Sequence, residues 1–233
     1  MDSPVSDPLF RRIDNLLAKV HRAGLYDRHP YDLNSIASII VADSSIDEVE
    51  FHSFQKRPNK NGLIEGFFKL IPIEIGIYTE SSMLARIFIR SDLEPEWSRL
   101  VACKELCHIL WQDLPSSRAS TQEQLLNQVE HILSENPFDD SQKICIQGLI
   151  EDSALVAAIE LLVPIEFRLL LVENYQNRKV KLSDISERFG VPEAVISLVF
   201  QEDYMKFTSK GRRHFFKEAT FEGMGKRISH TSR

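Results

Sequence analysis

A mostly helical α+β protein with a small antiparallel sheet and a helix-turn-helix-like C-terminal segment is what the 233 residues predict. Three observations carry that prediction. Apolar residues recur at three- and four-residue spacing over most of the chain. The pattern shortens to β-like runs only between Val49 and Arg90. Nine glycines are too few for a loop-rich all-β architecture, while 43% hydrophobic and 27% charged residues are ordinary for a globular protein. The length admits one large domain, or a medium one with an appendage.

The first helix is signalled by Ser6 or Asp7 as cap and Pro8 near the first turn. Ile13, Leu16, Leu17 and Val20 follow at helical spacing, and Gly24 closes it. A shorter amphipathic segment runs from about Tyr31 to Val41, with Leu33, Ile36, Ile39 and Ile40 on one side. The runs Ile64–Ile71, Ile73–Tyr78 and Leu84–Arg90, broken by Pro72 and by Thr79-Glu80-Ser81-Ser82, predict the antiparallel sheet. Pro95 opens a helix to about Trp111 that is apolar nearly all round and therefore buried. Further helices are expected over Gln122–Leu133, before the turn Asn136-Pro137, over Ser141–Val163, stopped by Pro164, and over Glu166–Tyr175.

The longest apolar stretch, Leu161–Val172, is interrupted by Pro164, Glu166 and Arg168, and the first eight residues have neither a basic nor an apolar leader region. A cytoplasmic protein with no membrane association is expected. Three cysteines, Cys103, Cys107 and Cys145, are an odd number with no secretion signal, so no disulfide framework is expected. The net charge of −6 opposes general nucleic-acid binding, yet residues 173–233 hold twelve Lys and Arg against eight Asp and Glu. Any nucleic-acid contact therefore belongs to the C-terminal part.

Lys104, Glu105 and His108 are three ionisable groups on an otherwise apolar helix, and burying them unpaired would cost several kcal/mol each, on the order of a whole side chain's burial. Positions 104 and 108 share a helix face, with Glu105 about 100° round. This is the layout of a metal-binding helix in which two ligands sit one turn apart and an adjacent glutamate polarises a metal-bound water. On the later helix, Glu151 shares a stripe with Ala154, Ala158 and Leu162 and is expected to point inward as a third ligand, while Glu160, about 180° away, is expected in solvent.

With those residues stated, the chain resembles the ImmA/IrrE family of zincin-like metallopeptidases. The family carries a His-Glu-x-x-His helix followed by a helix of the form Glu-x-x-Ala-Asn-x-Phe-Ala-x-x-Leu-Leu-Met-Pro. This sequence matches at Glu105, His108, Glu151, Ala154, Ala158, Leu161, Leu162 and Pro164, and departs at Lys104, Leu155, Ala157 and Val163. The resemblance covers roughly residues 7–200. It implies a zincin-like core, with Glu105 at the general-base position and His108 and Glu151 at ligand positions. Lys104 stands where the first histidine would be, and an ammonium has three donors and no lone pair for a metal. The expectation is a degenerate member that binds no cofactor, with zinc only if the site is retained, and in which Lys104 pairs with Glu151, Glu105 or both. Competing readings are a Lys104 that snorkels to the surface, a hydrogen-bonded core His108, a thiolate-rich metal site from the cysteines, and a Cys107 nucleophile beside His108.

Leu182–Phe200 reads as helix, tight Gly190 turn, helix, which suits a helix-turn-helix and has a counterpart in the family. Its second helix has Glu193 and no Lys or Arg. The later cations Lys206, Lys210, Arg212, Arg213 and Lys217 interleave with aromatics and read as a wing, a nucleic-acid contact or a docking strand, with packing and partner docking favoured over DNA contact. The expected organisation is a zincin-like domain over 1–175, a helix-turn-helix-like segment with a basic extension over 176–221, and a flexible tail over 222–233. The expected function is a catalytically degenerate regulatory or protein-interaction module whose partner is a protein, with a repressor-type regulator as candidate. The alternatives are a zinc-dependent peptidase that cleaves such a repressor and a DNA-binding transcriptional regulator.

Overall fold

The computed structural model describes residues 6–25, 28–55, 65–73, 82–111, 125–126 and 146–211. It is mixed α and β and mostly helical. Among these residues are eight α-helices: α1 (Ser6–Arg22), α2 (Leu33–Val41), α3 (Pro95–His108), α4 (Ile146–Leu162), α5 (Ile165–Gln176), α6 (Leu182–Phe189), α7 (Glu193–Val199) and α8 (Glu202–Gly211). The strands are β1 (Glu48–Phe54), β2 (Gly66–Ile73) and β3 (Ser82–Arg90). The expected helix over 122–133 apart from Leu125 and Leu126, the Asn136-Pro137 turn, Cys145 and the 222–233 tail lie outside the described residues.

The sheet corrects the antiparallel expectation. Its order is β1-β3-β2, with β2 antiparallel to β3 but β1 parallel to it. Three consecutive strands that alternate in direction leave the first and third parallel when the third lies in the middle. Strand order of this kind is a tertiary choice that local periodicity does not encode. Pro72 was expected to separate two runs but lies within β2, opposite Met83. As an edge strand, β2 tolerates the missing N–H.

One face of the sheet, carrying Phe68, Ala85 and Ile87, packs against α3. Gly66 makes the close approach possible. A Cβ there would lie 2.5 Å from Val101 Cγ1 and 3.1 Å from the Phe88 carbonyl oxygen. G66A is therefore expected to lose about 2 kcal/mol in urea denaturation, the usual scale for overfilling a packed core. Most of that loss should return when Val101→Ala is added, and an additive pair would show that the collision is not the cause.

A single buried apolar cluster takes in side chains from Leu9 to Tyr204. α3 runs through its middle, buried from Leu100 to His108, and packs along α4. Pro164 ends α4 and starts α5, as the sequence suggests. Gly190 adopts φ +61° between α6 and α7, with the position of its absent Cβ only 2.7 Å from Arg99 Cδ. A left-handed residue without a side chain is needed there both for the turn and for the α3 contact. Among the described residues no helix is long and apolar enough to cross a membrane.

Candidate functional site

Lys104, Glu105 and His108 of α3 are all buried. Lys104 and Glu105 are 0% exposed and His108 is 3% exposed. The snorkelling alternative for Lys104 is thereby overturned, because α4 and the sheet close over the helix where a surface route would run. Lys104 Nζ donates to Glu151 Oε2 across the α3–α4 contact. The same nitrogen is 3.4 Å from His108 Nε2 and 3.6 Å from Glu105 Oε1. His108 Nε2 in turn lies 3.4 Å from Glu151 Oε2. Four residues picked out in the sequence thus converge on one point, with Glu151 the most open of them at 14% side-chain exposure.

His108 and Glu105 are backed by the sheet. The His108 ring stacks on Phe68 of β2, with centroids 5.8 Å apart and planes within 18°. The Gly66 Cα region lies against the Glu105 side chain, whose Cγ would be 3.5 Å from an added Cβ. Neither Phe68 nor Gly66 is singled out by the sequence patterns, although a glycine inside a strand is itself a sign of close backbone approach. At Glu151 burial pushes the carboxyl up, but the hydrogen bond to His108 and the charges of Lys104 and His108 outweigh it, leaving the group more acidic than an ordinary glutamate.

As it stands, this donor set does not fit zinc. His108 and Glu151 supply two lone-pair donors, and the third position delivers an ammonium that occupies the intervening space. Among the described residues no group of three His, Cys, Asp or Glu side chains is arranged to hold a metal ion. Cys103 and Cys107 are buried free thiols, and the Cys103 sulfur faces the Ala158 carbonyl at 4.0 Å. A hydrogen bond with Cys103, together with burial, pushes the Cys107 thiol well above its ordinary range, which disfavours the thiolate a nucleophile needs.

A second buried ion pair corrects the reading of Glu160. That residue is fully buried, and its carboxylate accepts from Arg168 Nη2 of α5, eight positions on and beyond the Pro164 turn. The Arg168 guanidinium also lies over the Tyr204 ring of α8, 5.1 Å from its centroid. Glu160 is not in solvent because α4 is packed by α1 as well as by α3, and Arg168 from the first turn of α5 reaches its carboxylate.

The basic residues do not form a strand or wing at their start. Lys206 is exposed on helix α8 and pairs with Glu202 at 2.7 Å, one turn back. Lys210 is also in α8, while Arg212, Arg213 and Lys217 lie outside the described residues. No family model, no curated protein and no solved structure matches the chain.

Proposed function

We propose that this chain is a degenerate relative of the ImmA/IrrE-like zincins, in which a helical core, a helix-turn-helix-like segment and a small sheet serve as a regulatory or protein-interaction module without metal chemistry. One observation carries the proposal. The side chain that replaces the first histidine, Lys104, reaches the other would-be ligand residues and pairs with Glu151. A position that merely drifted after loss of activity has no reason to hold a buried lysine against a carboxylate, since a buried charge is tolerated only when paired. The peptidase alternative needs three lone-pair donors around an open centre, and among the described residues that centre holds the Lys104 ammonium, paired with Glu151.

The DNA-binding alternative draws less support. α7, at the place of a recognition helix, turns Glu193, Ala194 and Ser197 outward and has no Lys or Arg. Phosphate contacts supply most of the affinity in such complexes, and an acidic outer face opposes them. A cytoplasmic setting and a repressor-type protein partner belong to the same proposal.

The test is elemental analysis of the protein purified without chelators. Less than a tenth of a zinc equivalent per chain is expected, on the order of background for a site lacking its third ligand. Stoichiometric zinc that disappears in His108→Ala would sink the proposal in favour of the peptidase.

A further inference from the structure

We propose that the Lys104 ammonium is the resident cation of this site, bracing α3 against α4, and that the cradle around it is a binding site for one primary ammonium group. This deepens the function proposed above and rests on it only in taking the protein as metal-free. Lysines ordinarily keep the charged head in water while burying the stem. Here the whole side chain is buried, and the head lies between groups from two helices: Glu151 from α4, and His108 and Glu105 from α3.

The ammonium donates to Glu151, forms an ion pair with the Glu105 carboxylate at 3.6 Å, and lies 3.4 Å from the His108 ring nitrogen. Two of the three are carboxylates, which repay the desolvation of the cation. An ion held by coordination can be removed by a chelator, whereas one tethered by a four-carbon stem cannot. The brace is therefore permanent, and its loss requires loss of the side chain.

The cradle can be tested as a binding site because alanine at position 104 removes the atoms that n-propylammonium would restore. The melting temperature of K104A should rise saturably with n-propylammonium chloride. It should not rise with tetramethylammonium chloride at equal concentration, and neither the unsubstituted protein nor K104A/E151Q should respond to the amine. In urea, the K104M midpoint should fall well below that of the unsubstituted protein, and K104M/E151Q should recover most of the loss.

A K104M midpoint equal to the unsubstituted one would overturn the proposal, as would an equal amine response in K104A and K104A/E151Q. If K104A is insoluble, the K104M pair decides. If K104M is also insoluble, soluble K104M/E151Q supports the brace and an insoluble double variant overturns it. Zinc in the unsubstituted protein would defeat the function proposed above. A metal-free protein with a tolerant K104M defeats only the brace.

Discussion

Purified K104H should carry one zinc ion per chain where the unsubstituted protein carries none. The expectation follows from a distance. Two ligands of a tetrahedral zinc with bonds of about 2.0–2.1 Å stand roughly 3.3 Å apart. His108 Nε2 and Glu151 Oε2 are 3.4 Å apart. The edge of the tetrahedron is therefore already formed, and its orientation is held by the Phe68 stack behind His108. The missing element is a third lone pair from the α3 face, and position 104 lies one turn before His108 on that face. K104H supplies an imidazole and removes the ammonium that fills the centre. Bound zinc should also raise the melting temperature of K104H in a chelator-reversible way, because a ligand that binds only the folded state stabilises it. A metal-free K104H at micromolar zinc would mean that more than one residue separates this cradle from a metal site. Zinc retained equally in K104H/E151Q would place the ion elsewhere.

What the sequence made legible, and what it did not, divides along a physical line. α3 could be read because ten of its residues are buried and Lys104, Glu105 and His108 interrupt its apolar surface. Glu151 could be read because it shares a stripe with alanines that α3 covers, and Gly190 because only a left-handed residue closes that turn. These are local signals whose meaning does not depend on what else the chain does. The parallel placement of β1 is different. Its residues alternate between a core face with Val49 and Phe51 and an outer face where Glu50 accepts from both His52 and Arg86. Nothing in that alternation tells which strand lies beside it. Glu160 was misread for a related reason. A helix buried on one side has an opposite side in solvent, but α4 is packed on more than one side, so the far stripe also meets protein.

Arg168→Met should destabilise the protein by about 3–5 kcal/mol, the scale for removing one partner of a buried ion pair. Glu160 and Arg168 are both fully buried, so neither charge has water to fall back on. R168M keeps much of the volume and removes the cation that pairs with the buried Glu160 carboxylate. A loss of that size is a large part of a typical domain's 5–15 kcal/mol, roughly a third or more. Urea denaturation measures it directly. Replacing both charges, in E160L/R168M, should cost far less than R168M alone, because the penalty arises from the stranded charge and not from the loss of the pair itself. Arg168 also lies over Tyr204, so its removal takes a contact from α8 that Lys104 does not provide. Hydrogen exchange in R168M should therefore accelerate in α8 before it does so in α3, where the Lys104 brace remains. Equal acceleration in α3 and α8 would mean that the two buried ion pairs belong to one cooperative unit. A loss under about 1 kcal/mol would place Arg168 among exposed pairs of little consequence and contradict its burial.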